Sequence, residues 1–265
     1  MKRTFLAKLH TNGISYIVGA GLLLVGVPLY QLLVLLPQGY AGALTAADKG
    51  SFASYVAWLG SHADQFLGYN ALLILAFAAL LSLPFTLFRI IVAQEILERV
   101  DEAGEQAAGD VQEMPADAWR GKGFAALAAW SGLSGIIVYV LGTLAGTIFL
   151  ALGASAFPAS PGLAPHFSLP ASAISIIPNT IGSGLLALAT LLFGALITRS
   201  GRKLWPGIWV AFGYTALAVA VLFSASAGAL ASAPAGQSIF TTPATLLFAL
   251  WVLWFGIMLV RLKPE

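Results

Sequence analysis

The chain has 265 residues, 59% of them hydrophobic and 9% charged, with a formal net charge of +2 and no cysteine. A soluble domain carries about 25% charged residues, and a water-soluble fold of this length has too little interior to hide so much apolar surface. The composition therefore places the chain in a bilayer. It excludes disulfides, thiolate catalysis, cysteine-bound zinc and iron–sulfur clusters, and it lacks the basic stripe mixed with aromatics by which proteins hold nucleic acid.

Lys2, Arg3 and Lys8 precede a first apolar run, Ile14–Leu36, of 23 residues. Ala41-Gly42-Ala43 imitates a signal-peptidase site, but a signal peptide's apolar core is about 7–15 residues, so the run is expected to be a retained first span. In the outer loop Pro37–Gln65, the residues Phe52, Tyr55, Val56 and Leu59 follow i, i+3, i+4, i+7 spacing. This predicts a short amphipathic helix over residues 50–60, capped by Ser51 and lying on the outer membrane face. The second span is expected over Phe66–Phe88. From Arg89 the apolar stripe continues through Ile91, Ile96 and Val100, so the helix should extend into the loop 89–122 until Pro115 stops it. That segment carries eight of the eleven acidic residues, and Glu95, Glu98, Glu102 and Glu105 share one helical face. Four further runs follow, Gly123–Ala151, Ile174–Ile197, Leu204–Phe223 and Phe240–Val260. Each is long enough to cross a core of about 30 Å at about 1.5 Å per residue. Uncharged loops rich in Pro, Ser, Ala and Gly join the third span to the fourth (Ala156 to Pro170) and the fifth to the sixth (Ser224–Ser238).

The expected fold is an all-α integral membrane protein, a six-transmembrane-helix bundle forming one membrane domain. Twelve of the thirteen Lys and Arg residues fall on one set of alternating segments, and only Lys49 falls on the other. Positive charge accumulates on the cytoplasmic side. Both termini, the 89–122 loop and the 199–203 loop are therefore predicted inside, in a cell (inner or plasma) membrane. Trp119, Trp205 and Trp209 near the inner boundaries and Trp58 in an outer loop agree with headgroup-level placement.

No span holds an Asp, Glu, Lys, Arg or His well inside it. Asn70, Tyr139, Thr143 and Asn179 are the polar residues best suited to line a cavity, since polar groups in lipid must face the bundle. Pro84 and Pro178 each free a backbone carbonyl, and Pro178-Asn179 invites a polar break in the fourth span. Small residues form stripes at Gly135, Gly142 and Gly146, and at Ser183, Ala187 and Gly194, a helix-packing surface that serves the bundle itself or an interface between subunits. The Glu95–Glu98–Glu102–Glu105 face is either a solvated surface or a docking site for a cytoplasmic partner. Val18-Gly19-Ala20-Gly21-Leu22-Leu23 resembles Ile181-Gly182-Ser183-Gly184-Leu185-Leu186, as a 3+3 inverted repeat would require.

Catalysis is not expected. Gly182-Ser183-Gly184 lacks the flanking glycine and the membrane histidine of rhomboid-type proteases, aspartyl proteases need two membrane aspartates, and an activated nucleophile needs a base. His10, His62 and His166 lie outside the spans, so no haem or pigment ligand, metal site or other cofactor is expected; a set of His62, Asp64 and His166 has no spacing to require a metal. Two functions fit. One is a transmembrane, permease-like component of a transport system, either a subunit with a separate motor or a carrier for neutral or apolar solutes. The other is a structural or accessory subunit of a larger membrane complex, with other membrane subunits or a second copy as partners. Six spans, a basic N-terminal stretch and a long inner loop after the second span resemble, in architecture, the compact permease subunits of ABC exporters. That resemblance implies an inner helix coupled to a nucleotide-binding partner; no residue motif carries it, and no family follows from it.

Overall fold

The structure is a computed structural model describing residues 3–49, 51–106, 120–156, 170, 173–174, 176–200, 205, 207–230 and 240–262. His166, Pro115, Trp119 and most of the two loops 157–169 and 231–239 lie outside the described residues. Among the described residues all regular structure is helical, and six helical segments are long and apolar enough to cross a membrane. They are span 1 (Ala7–Gln38), span 2 (Ala63–Glu95), span 3 (Lys122–Ser155), span 4 (Pro178–Arg199), span 5 (Ile208–Ala229) and span 6 (Thr241–Val260).

Span 1 packs antiparallel to span 6. The His10 ring nitrogen Nε2 lies 2.9 Å from the Leu262 carbonyl, and Gly13 and Gly256 let the two backbones nearly touch. Both ends of the chain thus share one end of the bundle, the terminal end; the loop between spans 1 and 2 lies at the far end. Spans 3, 4 and 5 pack side by side through small residues. A methyl group on Gly135 would meet Leu186 and the Gly182 carbonyl at 3.1–3.2 Å, and one on Gly194 would meet Leu217 and the Gly213 carbonyl at 2.8–2.9 Å. Ser183 and Ala187 are buried in the same seam. In the absence of a hydrophobic drive between helices in lipid, such close backbone approach is what holds a bundle together. The predicted small-residue stripes are therefore occupied within this chain.

Several expectations change. Span 2 is not continuous: its helix stops at Ala78, turns through residues 79–82 and resumes at Leu83. Pro84 has no N–H for the Leu80 carbonyl, and the Leu83 N–H turns to Leu80 instead, at 2.9 Å. This frees the Ala79 carbonyl, which accepts a 2.8 Å hydrogen bond from the Ser15 hydroxyl of span 1. The helix after the break runs to Gln106, the extension expected beyond the membrane. Span 5 also runs on to Leu230, so the segment 224–230, read from sequence as loop, is helix.

The loop between spans 1 and 2 contains two helices, Tyr40–Asp48 and Phe52–Ser61, of which only the second is visible as a sequence pattern. Gly39, at φ 83°, makes the left-handed turn that starts the first. The apolar stripe of the second does not face lipid. Tyr55, Val56 and Leu59 are buried in the protein core, and Gly60 sits against the Ala154 carbonyl at the end of span 3. Ser51 holds the N-cap position but its hydroxyl pairs with the Ser54 hydroxyl at 2.8 Å rather than with the helix backbone. Trp209, at the start of span 5, is fully buried, and its indole N–H donates to the Ser200 hydroxyl at 2.9 Å. The matched hexapeptides of spans 1 and 4 have different surroundings: Gly19 abuts Ala76, Ala79 and Leu80 of span 2, whereas Gly182 abuts Gly135 and Tyr139 of span 3. A 3+3 repeat in that register would put Gly19 against span 6.

Candidate functional site

A cavity of about 170 Å³ occupies the far half of the bundle. Its walls come from spans 1, 2, 3, 4 and 6 and from both helices of the loop between spans 1 and 2. Asn70, Tyr139, Thr143 and Asn179, which share only the property of being polar in apolar runs, all line it, so the fold brings them together. Gln31, Tyr40, Tyr55, Tyr69, Thr147 and the threonines at the start of span 6 also line it and were not singled out from sequence. Tyr40 and Tyr55 sit in a loop whose tertiary position no local pattern reveals. Gln31 follows Pro28, a helix-bending residue within reach of reading.

The helices are wound irregularly where they meet this space. Three π-helical segments are described, Leu22–Gly26 and Gln31–Leu35 in span 1 and Pro178–Gly182 in span 4, and each contributes to the wall, through Leu23, Gln31 and Asn179 respectively. Such segments widen a helix and recur at functional sites. The pyrrolidine of Pro178 also presses on Gly142, where no side chain would fit, and this seats Asn179 in the wall.

Among the described residues the polar lining carries no charged side chain. The Asn70 amide nitrogen donates to the Phe66 carbonyl at 3.0 Å, leaving its oxygen as acceptor. Thr147 and Thr245 bond back to the carbonyls of Thr143 and Thr241 at 2.7 and 2.9 Å. The rings of Tyr40, Tyr69 and Trp58 cluster above, with Tyr40–Trp58 centroids 5.1 Å apart and Tyr40–Tyr69 6.4 Å apart. The Trp58 N–H donates to the Gln38 carbonyl, tying the roof to the end of span 1. Burial pushes the Tyr55 phenol well above its usual range, the neighbouring Tyr69 adds to this, and a hydrogen bond with Tyr40 works the other way.

Below the cavity the bundle is closed by rings. Phe77 stacks under Tyr139 at 4.2 Å and beside Phe248 at 6.3 Å. From Phe248 contacts run through Trp251, Phe212 and Trp209 to Trp205, with centroids 4.9–6.1 Å apart. Phe255 links Phe212 to Tyr16, whose hydroxyl meets those of Ser82 and Thr86 at 2.9 and 2.7 Å. A second void of about 10 Å³, apolar throughout, lies beside Pro84 and offers nothing to a polar ligand.

The remaining candidates lie elsewhere. Gly146 faces Ile174 at the cavity edge. Glu95 is on the helix after the break in span 2; Glu98, Glu102 and Glu105 continue along it, with side chains outside the described residues. His62 stacks on Trp58 at 4.8 Å, and no group of three His, Asp or Glu side chains gathers among the described residues. No family model matches the chain, and no curated protein or solved structure matches it either.

Proposed function

We propose that the chain is the transmembrane, permease-like component of a small-solute transport system, with both termini in the cytoplasm of a cell membrane. The observation that carries this is the cavity: polar, bounded by five spans, and separated from the terminal end by the aromatic column beneath Phe77. Secondary carriers likewise build their solute sites between spans, on helices that are broken or irregularly wound. A wholly structural subunit has no need to gather amides and hydroxyls around a void in lipid, where each costs free energy unless satisfied. The orientation rests on the Lys and Arg distribution, since Lys8, Arg89, Lys122, Arg199 and Arg261 all belong to the terminal end. In that orientation the cavity lies in the outer half of the bundle, and the helix reaching Gln106 stands where a cytoplasmic motor or partner would couple.

The test is solute flux in membrane vesicles from cells with and without the chain, followed by stopped-flow light scattering. Faster flux of small solutes, abolished by Thr143→Trp, which fills the cavity, is the expected result. Unchanged flux, together with stable co-purification of other membrane subunits in mild detergent, would sink the proposal in favour of an accessory subunit.

A further inference from the structure

We infer that the cavity takes a small uncharged molecule bearing several hydroxyl or amide groups, of the polyol type. The transport proposal supplies the reason for binding; the chemistry comes from the lining alone.

Charge is excluded first. Among the described residues, no Asp, Glu, Lys, Arg or His lines the cavity. An ion entering it would shed water with no opposite charge to replace it, which is prohibitive at membrane depth. A purely apolar occupant is excluded next. The Gln31 amide and the hydroxyls of Tyr69, Tyr139 and Thr143 border the cavity, and among the described residues none of them has a hydrogen-bond partner in the protein. Water can satisfy them in the empty site. An apolar ligand would displace that water and strand all four, and a stranded polar group is costly. These groups stand on spans 1, 2 and 3, on different walls, so a ligand satisfying them carries polar groups on more than one side. Hydroxyls and primary amides donate and accept, like the Gln31 amide and the phenols facing them, and the Asn70 oxygen adds a further acceptor. The volume sets the size. A cavity of about 150 Å³ admits benzene, so the space here suits a molecule of roughly six to ten non-hydrogen atoms. A four-carbon polyol meets all of these conditions.

The test uses the full chain in nanodiscs and three probes of similar size: erythritol, its carboxylate analogue erythronate, and toluene. Binding is read by saturation-transfer NMR and by change in tryptophan fluorescence. Erythritol is expected to saturate one site, with erythronate and toluene at least about tenfold weaker, and Gln31→Leu and Thr143→Val should each weaken erythritol by about tenfold through loss of a hydrogen bond. Thr143→Val preserves shape and keeps the test valid if Gln31→Leu fails to fold. Equal or tighter binding of erythronate or toluene overturns the inference, as does failure of erythritol to bind. The two proposals separate cleanly. Erythritol binding without flux removes the transport function and leaves the ligand class, whereas flux of charged solutes alone removes the ligand class and leaves transport.

Discussion

The rings of Phe77 and Tyr139 meet with centroids 4.2 Å apart and planes inclined by 34°. Tyr139 belongs to the cavity wall, while Phe77 is fully buried two residues before the break in span 2. This pair is the floor of the polar space, and it sits on the shorter half of a discontinuous helix.

Removing the Phe77 ring should join the cavity to the space below it. Phe77→Ala is expected to cost about 3–5 kcal/mol by analogy with buried aromatics in soluble cores, read as a drop in the unfolding midpoint in mixed micelles. It should also raise passive solute leak in proteoliposomes. Tyr139→Phe, which keeps the ring and loses only the hydroxyl, should hold its midpoint and show no leak.

Gly142 and Gly184 offer a matched pair in two adjacent spans. A methyl group at Gly142 runs into the rigid Pro178 ring, whereas one at Gly184 meets nothing within 4 Å. Gly142→Ala should destabilise by about 1–3 kcal/mol, the usual cost of overpacking, and displace Asn179. Gly184→Ala should be neutral or slightly stabilising, as glycine is the poorer helix former. Equal midpoints for the two variants would contradict the contact.

The freed Ala79 carbonyl depends on one side chain. Ser15→Ala should lower stability by about 0.6 kcal/mol, the average for interhelical hydrogen bonds in membranes. Tyr16→Phe, which takes away the partner of Ser82 and Thr86, should do the same. Thermal unfolding in nanodiscs measures both; a loss confined to Tyr16→Phe would mean that the break is satisfied without Ser15.

The chain has no cysteine, so single cysteines report topology without background. Ser61 and Lys8 are both exposed and lie at opposite ends of the bundle. With a membrane-impermeant maleimide, Ser61→Cys should label in intact cells and Lys8→Cys only after permeabilisation. The reverse pattern would invert the orientation and turn the cavity toward the cytoplasm.

Tyr55 makes stability sensitive to alkali. Its folded-state pKa is raised above the ordinary 10.0, chiefly by burial. Above pH 10 the unfolded chain loses this proton while the folded chain keeps it, so stability is intact below that pH and falls as pH climbs past it. Melting temperatures measured from about pH 9 to about pH 11 should fall less steeply for Tyr55→Phe than for the native chain. Parallel curves would show that Tyr55 ionises normally.

Much of this was legible in the sequence because lipid imposes one rule on every residue. Apolar runs of about 20 residues mark spans, and a polar residue within such a run must turn inward, so Asn70, Tyr139, Thr143 and Asn179 could be picked out without knowing how their helices meet. What escaped depends on partners distant in the chain. Pro84 signalled a disturbed helix, but the break lies at residues 79–82 because Ser15, more than sixty residues earlier, serves the Ala79 carbonyl. The stripe Tyr55–Val56–Leu59 was visible, yet periodicity says only that a face is apolar, not whether lipid or protein covers it. The repeated Gly-x-Gly of spans 1 and 4 failed as a guide to symmetry, since glycine marks close approach without naming the neighbour.

The broken second span also has a mechanical side. Beyond the turn, Leu83–Gln106 is one uninterrupted rod of 24 residues, about 36 Å long at 1.5 Å per residue. One end rests under the floor of the cavity and the other runs on past Glu95, where the apolar span ends. The turn at residues 79–82 joins this rod to the floor, and the hydroxyl contacts of Ser15 and Tyr16 fasten the turn to span 1. A push on the projecting end would be felt first at those few hydrogen bonds, and only then at Phe77.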